Sequence, residues 1–329
     1  MGRPGFVWAA RAVVFLVGGV VVSAGAGVEA AYRPAVQIAG EARLDQPRLA
    51  SAPAAAPSQR SGKRRFRRDA NGELIPDVRA AAAVIYNPVT QEIIYAENAD
   101  DQRSIASITK VMTALIVLAS EPDLSRRIDV APSDVHAASH TYLRARERLS
   151  VNELLHLMLI GSDNAAARAI ARESVLGYSG FIDAMNAKAT ALGLSSTHYA
   201  DPSGLDPANV SSAYDMARLI SFAVGSERIA EVMRTPEYRL RINKRRVKLK
   251  NTNKLLGGDV DVQGGKTGFI RKAGYCLAAL LKLPTGDPVA VVVLGARSNA
   301  GRFVEARHLL NWLNERGAPV LTTATSTQP

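Results

Sequence analysis

The chain has 329 residues, which is enough for one large folded domain or two small ones with a sizeable core, and its single cysteine excludes an intrachain disulfide. Its formal net charge is +11. Among its five histidines, no pair encloses a glutamate in the pattern of a zinc-binding helix, so we expect neither a metal site nor another cofactor. His136 and His140 are interpreted as surface residues, and Cys276 as a buried small apolar residue.

The first 30 residues have the pattern of a secretory signal peptide. Arg3 and Arg11 provide a positive start, and the short apolar run from Ala12 to Val22 is followed by small residues, with Ala26 or Ala30 as the cleavage point. The apolar run is shorter than the roughly 20 residues that a membrane span prefers, so a cleaved signal is favoured over an anchor. The sequence therefore predicts an exported protein.

Two segments hold much of the positive charge. Residues 31–70 are rich in Ala, Pro, Ser and Gln and include a basic run at 63–68, which predicts a disordered basic linker. From Arg239 to Lys250, apolar residues alternate with Arg and Lys around Asn243-Lys244, which predicts a basic β-hairpin. An exported protein seldom meets nucleic acid, so an anionic wall or membrane surface is the favoured partner, and a solubilising role stays open.

The folded domain is predicted to span residues 71–317, with a disordered tail at 318–329. Ala80–Tyr86 and Glu92–Glu97 are predicted to form a hairpin, after which helical patterns prevail as far as Val224. Strands at both ends with a helical middle predict an α+β fold: an antiparallel sheet flanked by helices, with an inserted helical subdomain. The further elements are helices from Ser107 and over Val151–Leu159, Ala165–Arg172, Gly180–Leu192, Ala213–Val224 and Arg302–Glu315, and strands over Ala273–Leu281 and Val289–Leu294.

Three short strings supply nucleophilic chemistry that uses no histidine, and each occurs once: Ser107-Ile108-Thr109-Lys110, Ser162-Asp163-Asn164 and Lys266-Thr267-Gly268. Three-residue spacing at a helix start puts Ser107 and Lys110 on one face, so a neutral Lys110 is placed to take the hydroxyl proton. Neutrality at pH 7 requires a lowered pKa, from desolvation or from the charge of Lys266. The alternative is a helix-capping Ser107 beside a solvated Lys110.

The second string lies between two helical patterns. Ser162 is a candidate proton relay to a leaving amine, and the amide of Asn164 is suited to orient the substrate backbone or Lys110. The alternative is a helix cap, since Ser, Asp and Asn all favour that position. The two roles are compatible.

The third string is expected to begin a strand. Lys266 and Thr267 suit a substrate carboxylate, and Gly268 leaves room for a peptide along the strand. The backbone N–H of Phe269, with that of the serine nucleophile, is a candidate oxyanion hole. Arg297, which follows the last predicted strand, is either a clamp for a carboxylate or an ordinary surface residue.

At these residues the chain resembles the low-molecular-mass penicillin-binding proteins, the serine D-alanyl-D-alanine peptidases of peptidase family S11. The resemblance covers about residues 71–314 and includes Asp201-Pro202-Ser203-Gly204-Leu205 and Asn251-Thr252-Asn253-Lys254-Leu255-Leu256. Residues 71–77, Asn-Gly-Glu-Leu-Ile-Pro-Asp, are similar to the start of the endopeptidase branch, penicillin-binding protein 7. The resemblance implies a transpeptidase-like, β-lactamase-like fold.

The resemblance also implies a role for each string. The implied roles are acylated nucleophile for Ser107, base for Lys110, second catalytic element for Ser162 and Asn164, and carboxylate binding for Lys266 and Thr267. The implied substrates are peptidoglycan stem peptides and crosslinks, cut after D-Ala, with β-lactam antibiotics as covalent inhibitors. The periplasm is the implied location.

Several alternatives remain within and beside this family. Arg297 resembles the arginine with which carboxypeptidases bind a terminal carboxylate, whereas the short segment after the catalytic domain favours the endopeptidase branch. Asp163 matches class A β-lactamases, but no Glu-x-x-Leu-Asn setting lies between Asn164 and Lys266. A strict carboxypeptidase, a β-lactamase and a non-catalytic wall-binding protein are therefore kept as alternatives, in that order.

Overall fold

The computed structural model describes residues 65–316. The predicted signal peptide, the linker as far as residue 64 and the predicted tail lie outside the described residues. The strands are β1 (Phe66–Arg68), β2 (Leu74–Pro76), β3 (Ala82–Asn87), β4 (Glu92–Glu97), β5 (Arg103–Ser104), β6 (Arg127–Asp129), β7 (Arg148–Ser150), β8 (Val210–Ser211), β9 (Glu237–Ile242), β10 (Arg245–Lys250), β11 (Asp261–Ile270), β12 (Gly274–Lys282) and β13 (Pro288–Ala296).

Helices fill most of the chain between β5 and β9, and one more closes the described region. They are α1 (Lys110–Ser120), α2 (Pro132–Val135), α3 (Val151–Ile160), α4 (Asn164–Glu173), α5 (Gly177–Ala191), α6 (Ala213–Val224), α7 (Glu227–Arg234) and α8 (Asn299–Arg316). A 3₁₀ helix at Ala106–Thr109 directly precedes α1. None of the helices within residues 65–316 is both long and apolar enough to cross a bilayer.

The main sheet is antiparallel, in the strand order β11-β12-β13-β3-β4. Side chains of β13 alternate between two cores, as the period-two geometry of a strand requires. Val291 and Val293 pack with Phe303 and Leu309 of α8, whereas the next residues along the strand face the core built by α1, α3, α4 and α6. The sheet is therefore covered by helices on both faces, and the predicted α+β class is confirmed.

The inserted helical subdomain is densely packed because its central helix is narrow. Five alanines of α4 are fully buried, which lets α3 and α5 approach it closely. Short ladders, β5 with β8 and β6 with β7, join the loops around these helices. The subdomain meets the sheet where the 3₁₀ helix lies against β11.

Two expectations about the elements need correction. Residues 65–70 are assigned to a disordered linker by composition, but Phe66–Arg68 pair with β2, and Arg65 forms ion pairs with Asp77 and Glu305. The composition of this segment indicated its positive charge, but it could not indicate that carboxylates distant in the chain would pair with that charge. The string Lys266-Thr267-Gly268 lies in the middle of β11 instead of beginning it, since pairing with β12 extends back to Asp261.

The isolated polar and sulfur residues behave as expected from sequence. Cys276 is fully buried as a free thiol, and burial raises its pKa to about 11, so the thiolate is strongly disfavoured at neutral pH. His136 and His140 are exposed. These three predictions are confirmed.

Candidate active site

The candidate nucleophile lies on the 3₁₀ helix that leads into α1. Ser107 is 9% exposed, and its Oγ accepts a hydrogen bond from Lys110 Nζ at 3.0 Å. The preceding Ala106 has φ +49°, a left-handed conformation that costs a residue with a side chain of order 1–3 kcal/mol. The fold therefore holds the serine on a strained turn, with its hydroxyl beside the amine.

Lys110 is fully buried, and its ammonium donors have three acceptors. Besides Ser107, they are Asn164 Oδ1 at 2.5 Å and the backbone carbonyl of Ser203 at 2.5 Å. Burial lowers the pKa of Lys110 to about 7, with a smaller contribution from the positive charge of Arg168. Desolvation is thus the dominant cause, and the charge of Lys266 is not among the main causes of this shift.

Two carboxylates act in the opposite direction on this amine. Asp201 and Asp163 raise the pKa of Lys110, although less than burial lowers it. The resulting value near neutrality means that both the neutral and the charged amine are populated at physiological pH.

The second string forms the joint between α3 and α4. Ser162 has φ +59°, and Asp163 caps α4 by accepting a hydrogen bond from Ala166 N at 2.9 Å. Burial raises the pKa of Asp163, and hydrogen bonds from Tyr142 N and the Thr141 hydroxyl act against that rise. A helix cap and a cleft-lining residue therefore occupy adjacent positions, as the sequence allowed.

Asn164 is held from both ends of its amide. Its Nδ2 donates to the Ala138 carbonyl at 2.8 Å, which leaves its Oδ1 directed to Lys110. The structure thus fixes the amide orientation through the loop before β7, and not through α4 alone.

Strand β11 brings a second buried lysine to the same cleft. Lys266 Nζ donates to Ser162 Oγ at 2.8 Å and to the Thr267 carbonyl at 2.8 Å. The pKa of Lys266 lies well below its usual value because of burial first, and then because of the positive charges of Lys110 and Arg302. The two lysines, each hydrogen bonded to one of the two serines, therefore both have lowered pKa values.

Gly268 is required by a close approach between β11 and the nucleophile turn. A Cβ atom placed on Gly268 would lie 2.8 Å from the Ile105 carbonyl oxygen and 3.0 Å from the Ser107 backbone nitrogen. Phe269 follows with half of its surface exposed, and its ring stacks on Tyr275 at a centroid distance of 4.2 Å. The backbone of β11 and that of the 3₁₀ helix thus form two adjacent walls of the cleft.

Sequence reasoning missed the contribution of the loop after α5. The carbonyl of Ser203 reaches Lys110, and the next residue, Gly204, has φ +80° with its Cα against the Ala106 carbonyl. Asp201 holds this turn by accepting from the backbone N–H groups of Ser203 and Gly204. The family-like string at 201–205 was a signal for this loop, but a backbone acceptor leaves no signature in side-chain chemistry.

The loop is also tied to α5. Asn186 accepts from the backbone N–H of Tyr199 at 2.8 Å and donates to its carbonyl at 2.9 Å. These paired bonds fix the chain just before the residues that meet Lys110. Asn186 therefore acts as a positioning residue for this wall of the cleft.

The structure does not bring Arg297 into the group. It lies exposed directly after β13, and its side chain forms no hydrogen bond or ion pair within residues 65–316. Arg302, five residues later in α8, is instead buried and donates to the carbonyls of Gly268 at 2.9 Å and Cys276 at 3.1 Å. Burial lowers the pKa of Arg302 to about 10, so it remains a cation directly behind β11.

The cleft therefore combines two serine hydroxyls, two buried amines and one carboxamide. A hydroxyl beside an amine of near-neutral pKa is the arrangement for attack on a carbonyl carbon. Within residues 65–316, no group of three or more His, Cys, Asp or Glu side chains is placed to hold a metal ion.

Comparison with known proteins agrees with this chemistry. The model of the family Peptidase S11, D-alanyl-D-alanine carboxypeptidase, matches residues 69–298. The D-alanyl-D-alanine endopeptidase of Escherichia coli strain K12 is 34% identical over 243 residues, 72% of this chain and 78% of the relative. The D-alanyl-D-alanine carboxypeptidase DacF of Bacillus subtilis strain 168 is 33% identical over 240 residues, 71% of this chain and 61% of the relative.

A solved structure shows the same likeness. The crystal structure of the Streptomyces K15 DD-transpeptidase matches with a TM-score of 0.68 and 30% sequence identity, over 72% of this chain and 97% of that chain. The family match covers residues 69–298, in which all three strings lie. The chain belongs to peptidase family S11, the D-alanyl-D-alanine carboxypeptidase family.

Proposed function

We propose that this serine peptidase cleaves the bond that follows a D-alanine in peptidoglycan stem peptides and crosslinks, through an acyl-enzyme on Ser107. The observation that carries the proposal is the 3.0 Å contact between Ser107 Oγ and a buried Lys110 with a pKa of about 7. A lysine with this pKa is an effective base at neutral pH, whereas a solvated lysine is almost fully protonated.

Acylation follows from the geometry of the two walls. Lys110 takes the Ser107 proton as Oγ attacks the D-alanine carbonyl carbon, and the backbone N–H groups of Ser107 and Phe269 stabilise the oxyanion in this proposal. The C–N bond then breaks, and the leaving amine takes a proton from the Ser162 hydroxyl, which is hydrogen bonded to Lys266. The proton that Lys110 took from Ser107 then passes to the Ser162 oxygen, which restores the hydroxyl and leaves Lys110 neutral. The product is an ester between Ser107 and the D-alanine carbonyl.

In deacylation, Lys110 again acts as the base. A water molecule gives its proton to neutral Lys110 and attacks the ester carbonyl, which releases the peptide and returns the proton to Ser107. Asn164 keeps the amine directed at this position through its Oδ1.

We favour endopeptidase activity as the main activity of this site, with carboxypeptidase activity as a second activity of the same site. The relatives at 34% identity in Escherichia coli and Pseudomonas aeruginosa are named endopeptidases, whereas DacF is named a carboxypeptidase. Arg297 lies exposed after β13, so its resemblance to a carboxypeptidase arginine is a weaker argument for carboxypeptidase activity. Arg302 behind β11 still favours a substrate with a carboxylate near Thr267, so both activities are part of the proposal.

We further propose that β-lactam antibiotics acylate Ser107 and that the protein acts in the periplasm after export. A β-lactam presents a carbonyl carbon to the same nucleophile and a carboxylate to the same Lys266-Thr267 edge. The signal-like pattern of the first 30 residues supports export.

Digestion of two defined substrates tests the proposal. Purified crosslinked muropeptide dimers and a free stem pentapeptide are incubated with the protein, with its Ser107→Ala variant and with a Ser125→Ala control, whose serine lies exposed before β6. We expect monomers and released D-alanine from the wild type and the control, and neither from Ser107→Ala. A folded wild-type protein that gives no product from either substrate would refute the enzyme assignment.

A further inference from the structure

The hairpin of β9 and β10 separates apolar and charged side chains onto opposite faces. Its apolar residues are buried and pack toward α3: Leu240, Ile242, Val247 and Leu249. The other face, called the basic face below, exposes six cations: Arg239, Arg241, Lys244, Arg246, Lys248 and Lys250. The alternation predicted from sequence is therefore real, and it concentrates positive charge on one surface.

The basic face is unfavourable for the hairpin itself. Arg246 lies directly opposite Arg241, and Lys248 lies opposite Arg239, although like charges in this position destabilise an antiparallel pair. Glu237 offsets only part of this charge, by ion pairs with Arg239 and Lys248. Lys250 lies opposite Glu237 in the register, but within residues 65–316 no carboxylate forms an ion pair with Lys250 or with the other three cations. The arrangement thus favours an anionic partner from outside the hairpin.

The other basic segment differs in this respect. Its arginines serve the fold, since Arg65 pairs with Glu305, Arg67 pairs with Glu97, and Arg68 donates to the Gly72 carbonyl. The described part of that segment therefore holds its cations in intramolecular contacts, whereas four cations of the hairpin form no ion pair within residues 65–316.

The hairpin directly borders the catalytic cleft. Thr252, two residues after β10, shares a hydrogen bond of 2.7 Å with the Thr267 hydroxyl and donates its N–H to the carbonyl of Ile160, just before Ser162. At the turn end, Arg245 contacts Glu147 and the Tyr142 carbonyl, in the loop that also holds Asp163. Both ends of the hairpin are thus anchored to cleft-forming residues.

We propose that the basic face binds carboxylates of peptidoglycan stem peptides adjacent to the one being cleaved, and so holds the polymer along the cleft. The inference rests on the proposed function, because a polymeric substrate with free stem carboxylates supplies the missing negative charge. Six-residue strands extend roughly 20 Å, which is longer than the dipeptide unit that the cleft must hold. A site of this length and charge fits a neighbouring part of the same polymer.

The test compares polymer and soluble substrate with two triple variants. The first, Arg241→Gln/Lys244→Gln/Arg246→Gln, removes three cations of the basic face. The matched control, Arg127→Gln/Arg148→Gln/Lys282→Gln, removes three exposed cations from strands elsewhere. Co-sedimentation with insoluble crosslinked peptidoglycan is measured in a Ser107→Ala background, and cleavage rates are measured on that polymer and on a soluble muropeptide dimer.

We expect the first variant to lose about tenfold in binding to the polymer and about tenfold in rate on it, more at low salt than at high salt. Its rate on the soluble dimer should stay within about twofold of wild type. The control variant should behave as wild type in all three measurements.

Other outcomes separate the basic face from the proposed function. Equal polymer binding by both triple variants overturns the inference while leaving the peptidase intact. Wild-type binding to anionic phospholipid vesicles but not to peptidoglycan overturns it in favour of a membrane partner. A wild type that cleaves neither substrate refutes the proposed function, and the co-sedimentation result then still decides whether the basic face binds the polymer.

Discussion

Two features of the surroundings of Lys110 act on its protonation in opposite directions. Its hydrogen-bond partners favour the charged ammonium form, whereas its burial favours the neutral amine. Its three partners, Ser107 Oγ, Asn164 Oδ1 and the Ser203 carbonyl, all accept hydrogen bonds, which matches the three donors of an ammonium group. Desolvation acts against that charge and lowers the pKa to about 7. The opposing effects leave the amine able to take a proton and to return it at nearly the same pH, as a two-step acyl transfer requires.

The rate of acylation should therefore rise with pH through about 7, because only the neutral amine of Lys110 accepts the Ser107 proton. The pKa is lowered, so the active form is present above about pH 7 and is lost as the pH falls below it. Stopped-flow acylation by a fluorescent penicillin between pH 5.5 and 9 measures this profile. Lys110→Arg keeps a positive charge at this position and should lower the rate about 10²–10⁴-fold across the range. A flat profile for the wild type would contradict a role for Lys110 as the base.

Gly268 controls the distance between the two walls of the cleft. A Cβ atom there would lie 3.0 Å from the Ser107 nitrogen, so Gly268→Ala should push β11 away from the nucleophile turn. A displacement of this kind costs about 10²-fold in rate. The control is Gly180→Ala in α5, where an added Cβ meets nothing closer than 3.5 Å. Penicillin acylation should slow in the first variant alone, and equal rates would show that the strand tolerates the side chain.

At the scale of the elements, one residue both caps a helix and builds the cleft. Asp163 is the N-cap of α4. Its carboxylate also accepts hydrogen bonds from the Thr141 hydroxyl and the Tyr142 N–H, which lie in the loop before β7. That loop includes Ala137 and Ser139 with positive φ and supplies the carbonyl that orients Asn164. Stability of α4 and geometry of the site therefore depend on the same buried group.

Asp163→Asn should lower the free energy of unfolding by about 1–3 kcal/mol, because the amide replaces one acceptor oxygen with a donor beside Thr141 and Tyr142. We also expect about tenfold slower acylation, because the loop that orients Asn164 loosens. Ser150→Ala is the control, since it removes the cap of α3 at a cost of about 1 kcal/mol without contact with this loop. Urea unfolding and penicillin acylation together distinguish the two. A normal acylation rate in Asp163→Asn would limit Asp163 to a capping role.

Local patterns predicted the elements well, and long-range contacts were beyond them. Alternating side chains marked the hairpin of β9 and β10, and the three strings marked the side chains that line the cleft. No local sequence pattern predicted that the carbonyl of Ser203 would contact the amine of Lys110, 93 residues earlier in the chain. Nor did any predict that α8 would place Arg302 behind β11. Position after a strand suggested Arg297, but the turn into α8 leaves that residue exposed and brings Arg302 inward.

On the scale of the whole described region, the cleft lies where two packed units meet. The sheet contributes β11, which is held by β12 and by Arg302 of α8, and the helical subdomain contributes the 3₁₀ helix and the start of α4. Neither wall is a mobile surface loop, since both are continuous with buried elements. This arrangement keeps the reacting groups in place before a substrate arrives, which reduces the reorganisation needed during the reaction.

The β1–β2 hairpin, finally, should stabilise the molecule without taking part in its chemistry. It fastens α8 to β4: Trp312 donates to the Leu74 carbonyl, Tyr95 donates to the Pro76 carbonyl, and Arg65 pairs with Glu305. Each neutral bond is worth about 1 kcal/mol, and 1 kcal/mol corresponds to about 2–4 °C in Tm for a domain of this size. A chain that starts at residue 79 should therefore melt about 10 °C below one that starts at residue 65.

Both truncated chains should still be acylated by penicillin at 25 °C, because none of these contacts touches the cleft. Differential scanning calorimetry and gel-based penicillin labelling measure the two properties on the same samples. Equal melting temperatures would show that the hairpin does not stabilise the domain. Loss of labelling in a chain that remains folded would show that the position of α8 affects β11 through Arg302.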